Sequence, residues 1–267
     1  MRKLFLILTC LATISASAQD RYLARTYQSN VLPKGAIDLE FWHTSRFGHE
    51  GQFFHAQDQR MELEFGLGKN VQTAFYFNRY QERSSETADG TFTKNEIGFS
   101  NEWKWKISGP QKKLGVAVYG EWGIKGGDEL ELEAKLILDK SIGKSLFAFN
   151  GVVEYEKEFQ WVSNKLRSDN WETPVEFNLA YLYNVSMNVG LGFEVLNRNT
   201  IVKKNGWENS VFFGGPTFNY RGNRWFVIAN YMPQWGNVHQ TSFAPNSKVL
   251  DEMERGEARI LVGISLK

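Results

Sequence analysis

The chain has 267 residues, 31 basic against 30 acidic side chains, and a single cysteine, Cys10. So balanced a charge offers nucleic acid no electrostatic footprint, and one cysteine excludes an intrachain disulfide or a multi-thiolate metal site. Mean hydropathy is −0.41, and no window after the first eighteen residues approaches the apolar run of a membrane helix.

Arg2 and Lys3 precede an apolar run over residues 4–14, and Ala16-Ser17-Ala18 forms a small-x-small cleavage site. Residues 1–18 therefore read as a Sec-type secretory signal that is removed in the mature chain. The run is too short to cross a bilayer of about 30 Å. Cys10, with Thr9 before it and apolar residues after it, belongs to that signal and not to a lipid anchor. Loss of Arg2 and Lys3 turns the formal charge from +1 to −1. Residues 19–33 are expected to form a short periplasmic lead-in, too short for a separate plug domain, and 34–267 a single barrel domain.

From residue 35 onward the chain alternates apolar with polar side chains in stretches of about ten residues, the length and period of a strand tilted through a bilayer. In the first, Ile37, Leu39 and Phe41 oppose Asp38 and Glu40. The second (57–67) sets Met61, Leu63 and Phe65 against Arg60, Glu62 and Glu64, and Gly68-Lys69-Asn70 turns into the third (71–80). The fourth (94–106) opposes Ile97, Phe99, Trp103 and Trp105 to Glu96, Ser100, Glu102 and Lys104. The fifth (113–124) carries Val116, Val118, Trp122 and Ile124 outward and Glu121 inward. After Gly126-Gly127-Asp128 the sixth alternates Leu130, Leu132, Leu136 and Leu138 with Glu131, Glu133 and Lys135.

The seventh (146–157) turns Asn150, Glu154 and Glu156 inward, the eighth (172–183) Glu176 and Asn178, and the ninth (185–196) Asn188 and Glu194. The tenth (209–220) and eleventh (224–235) blur the two faces at Phe212-Phe213 and Phe226-Val227-Ile228. The last opposes Ile260, Val262 and Ile264 to Glu257 and Arg259. Long connections are expected at 45–56, 81–93, 157–171, 197–208 and 236–255, and short ones at 68–70, 107–112, 139–145, near Asn184 and at 221–223. The two-glycine hairpin is the one break in that alternation. The fold class is thus all-β: an antiparallel up-and-down transmembrane barrel of about twelve strands, with short periplasmic turns and long external loops.

Trp42, Trp122, Tyr155 and Trp235 fall near external strand ends, and Trp103, Trp105, Tyr183, Tyr220 and Trp225 near periplasmic ends. Rings with an apolar body and a polar tip favour the headgroup level, so these are the expected interface girdles. Fourteen inward carboxylates face few inward bases, mainly Arg60, Lys104, Lys135 and Arg259. Such rings favour cations in a wet pore, while in a closed lumen the same carboxylates would pair with the bases. Twelve strands lie between barrels filled by side chains and barrels with an aqueous channel, so both readings stand at this point. A lumen open to water would favour a pore. One closed by inward Arg–Glu pairs or by the loop at 236–255 would favour a barrel whose external loops, with Trp161, Trp171, Trp207 and Phe243, bind a surface partner.

Three histidines, His43, His49 and His55, surround the first long loop and His239 lies in the last, but their spacing matches no metal motif. No metal or cofactor is expected. His43 and Ser45 share a face, as a hydrolase of outer-membrane lipids would need, yet the pair lacks an orienting third group. The chain is expected not to be an enzyme.

The run Thr26-Tyr27-Gln28-Ser29-Asn30-Val31-Leu32-Pro33-Lys34-Gly35, followed by Asp38-Leu39-Glu40, resembles the start of transporter-like outer-membrane barrels, including the family named for the phenol meta-degradation pathway. The resemblance covers about fifteen residues, and Gly35 and Glu40 correspond to strand-start features. It implies an outer-membrane location in a Gram-negative envelope and a channel or transport role for an unidentified small solute, with outer-membrane lipids and the barrel-assembly machinery as partners. The ending Leu266-Lys267 departs from the terminal aromatic residue of many barrels.

Overall fold

A computed structural model describes residues 21–87, 90–111, 113–162, 165–167 and 171–267. The expected signal, residues 1–18, lies outside the described residues, as does the side chain of Trp161. Twelve long strands form the molecule: β1 Ile37–Phe47, β2 Phe54–Gly68, β3 Val71–Thr87, β4 Gly90–Ser108, β5 Gly115–Lys125, β6 Glu129–Ile142, β7 Ser145–Glu158, β8 Val175–Asn184, β9 Val189–Val202, β10 Gly206–Arg221, β11 Trp225–Asn237 and β12 Gly256–Ser265. Each pairs antiparallel with its neighbour in sequence. The sheet closes where β1 meets β12, from Asp38 opposite Ser265 to Phe47 opposite Gly256. The two-residue strand Trp171–Glu172 extends the rim between β7 and β9. A small hairpin, Gln160–Val162 with Lys165–Arg167, forms a sheet of its own.

The period-two pattern sets the two faces. Side chains at i and i+2 share a face of a strand, so Phe75 and Phe77 on β3, Trp103 and Trp105 on β4, and Leu132 and Leu136 on β6 stand exposed around the outside. Charged side chains such as Glu62, Glu64 and Glu102 lie at 0% exposure inside. Exposed apolar area on this scale would be a liability in water and is the lipid-facing surface of a membrane barrel.

The connections separate two ends. At one, β2 and β3 are joined by Lys69-Asn70, whose φ values of 52° and 65° give the left-handed pair of a two-residue hairpin. At the other lie the longest links, 159–174 and 238–255. Two expected loops are mostly strand. Pairing of β3 with β4 continues past Glu82 opposite Lys94 to Ser84 opposite Phe92, and β9 with β10 past Thr200 opposite Asn209. Polar residues beyond the apolar belt still have ladder partners, so the hairpins project past it.

The outward face yields a first prediction. Leu179, 58% exposed in the middle of β8, faces lipid, so Leu179→Arg is expected to destabilise the barrel by about 2–4 kcal/mol. Urea titration of the protein folded into vesicles would measure this, with Asp251→Arg in the last loop expected to change little.

Candidate functional site

Residues 21–33 thread the lumen, whereas a periplasmic lead-in would remain below the barrel. The chain passes β2 at Gly66, where a Cβ would stand 2.0 Å from the Pro33 carbonyl oxygen. With no ladder of its own, the segment has its main chain satisfied by inward side chains. The Leu32 N–H donates to Gln72 Oε1 at 2.8 Å and the Ser29 N–H to Asp139 at 3.2 Å. Asn150 clamps Tyr27 from both sides: its Oδ1 accepts the Tyr27 N–H at 2.6 Å, and its Nδ2 donates to the Tyr27 carbonyl at 3.0 Å. The Glu194 carboxylate accepts three successive N–H groups, from Ala24, Arg25 and Thr26, at 3.0, 2.9 and 2.8 Å. These contacts draw the segment in because buried main-chain groups must find partners.

Charge reinforces the threading. Arg25 Nη1 lies 2.9 Å from Glu257 and its Nη2 3.1 Å from Glu176. Burial opposes the charge on Arg25, but Glu257 and then Glu176 outweigh it and hold the guanidinium above its ordinary pKa. Arg21 sits 3.5 Å from Glu40, with its guanidinium 4.1 Å from the ring centroid of Tyr27 and 4.2 Å from that of Trp42. Burial again opposes that charge, and Tyr27, Glu40, Glu62 and Glu64 more than offset it.

Apolar side chains of the segment fill the same space. Leu23 packs with Leu146, Ala148, Ala180 and Leu182, and Ala24 and Tyr27 with Ala117, Tyr119, Ile137, Phe226, Ile228 and Leu261. One expectation is corrected here. Trp42 is no interface ring: it is 8% exposed, faces inward, and donates its indole N–H to Glu40 at 3.0 Å. Parity places it there, two residues beyond Glu40 on the same strand. The other candidate interface rings point outward; Trp103, Trp105, Trp122, Tyr183, Trp225 and Trp235 are exposed, Tyr220 lies against Trp225 with the rings tilted, and Tyr155 likewise near Trp171.

The candidate lumen residues fall into two tiers. Asp38, Glu40, Glu62, Glu64, Glu102, Lys104, Glu194 and Glu257 are buried. Within that tier the Tyr76 hydroxyl donates to Glu102, and Gln72 Nε2 to Glu64 at 3.2 Å. Towards the long-loop end, Glu96, Glu131, Glu133, Lys135, Glu154, Glu156, Glu176 and Arg259 line a cavity of about 540 Å³ above the segment. Among the bases that the strand-by-strand reading omitted, Arg46 and Arg198 also line it. Both lie just past the strand ends read from the sequence, and extending the alternation by two to four residues would have found them. Arg198 binds Glu176 at 2.9 Å and Arg46 binds Asp58 at 2.9 Å.

The last long loop folds into the barrel mouth. Ala244, Val249 and Met253 pack on Leu196, Val211, Phe213 and Met232. Gln234 fastens this packing, accepting the Val249 N–H at 3.0 Å and donating to the Val249 and Glu254 carbonyls at 3.1 and 3.0 Å. Trp207 stacks on His239, with centroids 3.9 Å apart, and His49 on Phe54 at 3.6 Å. His43 and His55 instead meet at Ser45, whose Oγ is 3.3 and 3.4 Å from their Nε2 atoms on the outward face. At the cavity rim Glu129, Glu131 and Glu156 bring carboxylate oxygens within 4.8 Å of one another. Lys125 already stands 3.5 Å from Glu129 and 3.6 Å from Glu131.

A closed twelve-strand antiparallel sheet, apolar outside and charged within, is a barrel of the outer-membrane type. The chain belongs to DUF6662, described as a family of unknown function, whose model matches residues 15–266. No curated protein matches the sequence. Among solved structures it is similar to the COG4313 outer membrane channel from Pseudomonas putida F1, with TM-score 0.64 and 9% identity over 89% of this chain and 98% of that one. It is also similar to the beta domain of the Bordetella autotransporter BrkA, with TM-score 0.64 and 8% identity over 87% and 100% of the two chains. A further likeness is to the translocator domain of autotransporter NalP from Neisseria meningitidis, with TM-score 0.60 and 10% identity over 86% and 87%. At these identities the likeness is one of fold.

The segment's anchors are testable. Replacing Arg25 by Ala leaves Glu257 and Glu176 without their shared guanidinium, and removing one partner of a buried pair costs about 3–5 kcal/mol. Hydrogen exchange at the amides of Ala24, Arg25 and Thr26 is expected to rise at least about tenfold, while protection of β1–β12 persists.

Proposed function

We propose that the protein is an outer-membrane channel for small solutes, cation-preferring, whose path is occupied at rest by its own residues 21–33. One observation carries this reading: the interior is wide enough to hold a peptide segment rather than being filled by strand side chains. The segment is attached largely through polar contacts, which water or solute can replace. A wall lined with Glu131, Glu133, Glu154 and Glu156 suits hydrated cations and repels anions.

The outward tryptophans and tyrosines at both ends of the strands serve in this reading as headgroup-level girdles. The likeness of residues 26–40 to transporter-like barrels supports the same reading, as does the channel named among the similar structures. A loop-mediated binder is less favoured, because the last loop turns inward onto Gln234 and Met232.

A second reading rests on the outward Ser45 between His43 and His55: hydroxyl, base and second imidazole are the parts of a nucleophilic site. Labelling of Ser45 by a fluorophosphonate, lost in Ser45→Ala, would support a lipid-hydrolase role; absence of labelling in folded protein would exclude it.

The channel reading predicts small or infrequent conductance steps for the intact mature protein in a planar bilayer. A variant lacking residues 21–31 should give larger steps, with a cation-directed reversal potential in a salt gradient. That selectivity should fall as the pH is lowered and the wall carboxylates take up protons. A variant that shows heat-modifiable mobility on a gel yet stays silent would overturn the channel.

A further inference from the structure

The cavity above the segment holds an arrangement that strand pairing alone does not favour. Glu102 stands opposite Glu121, Glu121 opposite Glu133, and Glu133 opposite Glu154, so one row of carboxylates crosses β4 to β7. A second row pairs Glu131 with Glu156, and a third Glu129 with Glu158. Like charges directly opposite on neighbouring strands are destabilising, so these rows call for positive charge. The chain supplies part of it: Arg60 lies 3.8 Å from Glu121, Lys135 2.7 Å from Glu133, and Lys125 near Glu129 and Glu131. Among the described residues no ion pair reaches Glu154 or Glu156, and both stand on the cavity wall.

A second observation comes from β8. Asn178 is 3% exposed and lines the same cavity, and its Oδ1 has no hydrogen-bond partner among the described residues. A buried amide oxygen without a donor is costly and marks a place where a ligand N–H would be welcome. The chain also displays the chemistry that fits. At the cavity floor Arg25 places one guanidinium between Glu257 and Glu176, while Tyr27, Trp42 and Tyr80 give the wall aromatic faces that attract cations.

We propose that this cavity is a binding site for an organic cation bearing two amine or guanidine groups, held by Glu154 and Glu156 with Asn178 Oδ1 accepting an N–H. The proposal rests on the solute-channel reading and names the class of solute. Glu154 and Glu156 are two residues apart on one strand, a separation of roughly 7 Å. Two linked cationic groups span that distance better than a single metal ion does. A volume of about 540 Å³ falls in the range of small-molecule sites. Arg25 then acts as a tethered relative of the ligand, and a solute that competes for Glu176 would loosen residues 21–33.

The experiment is calorimetric titration of the folded full-length mature protein in detergent with agmatine, which carries one guanidinium and one ammonium group. Saturable binding is expected, weakened at least about tenfold, equivalent to 1.4 kcal/mol, in the double variant Glu154→Gln/Glu156→Gln. Glu50→Gln, in the first long loop, should bind as the parent does. The carboxamides keep the side-chain shape and relieve repulsion, and heat-modifiable mobility checks the fold. Absence of saturable binding, or binding unchanged in the double variant, would overturn the site. So would calcium binding there that agmatine does not displace, which would assign the carboxylates to a metal ion. Agmatine binding by a protein silent in bilayers would keep the site and sink the channel. Conductance without agmatine binding would do the reverse.

Discussion

Closure of the sheet between β1 and β12 is the constraint on which everything else rests. A strand in hydrocarbon has no water to satisfy an unpaired N–H or C=O, so a spanning sheet must have no free edge. Once the register from Asp38–Ser265 to Phe47–Gly256 closes the ring, every second side chain is committed to lipid and every other one to the lumen. Phe75, Leu132 and Leu179 are free to be apolar because they face outward. Glu62, Glu102 and Glu154 are tolerable only because they do not.

That partition creates an electrostatic problem in the interior. Cross-strand pairs such as Glu40 with Glu62 and Asp38 with Glu64 set carboxylates side by side, and inward bases from the strands answer them only partly. Residues 21–33 answer more of the charge. Arg21 and Arg25 bring guanidinium groups to the buried carboxylates, and a single carboxylate, Glu194, gathers three consecutive main-chain N–H groups. The segment therefore both answers part of the interior charge and fills part of the lumen. Its departure would have to be matched by water, protons or other cations entering the lumen.

The asymmetry between the ends follows from the same interior. Below, Leu23 completes an apolar packing with inward alanines and leucines, and Leu32 is buried. Above, the long-loop end keeps a charged cavity, narrowed on one side where Val249 and Met253 fold onto Met232. A solute arriving from the long-loop side would meet Glu156 and Glu154 first and the segment afterwards.

The sequence by itself determined the strand count, the antiparallel order and the side on which residues such as Glu133 and Trp105 stand. These follow from a local period of two and from nearest neighbours along the chain. The tertiary structure alone decided where residues 21–33 go, because their partners lie at separations of up to 235 residues, as Ala24 and Arg259 do, and an unpatterned segment carries no periodic signal of its docking. It also decided that strands continue through 81–87 and 197–202, since polar residues beyond the belt extend a ladder only when the opposite strand offers a partner. The inward turn of the 238–255 loop onto Gln234 belongs to the same class. Trp42 lies between the two: its parity with Glu40 was legible in the sequence, but its burial depends on Arg21 arriving from inside the barrel.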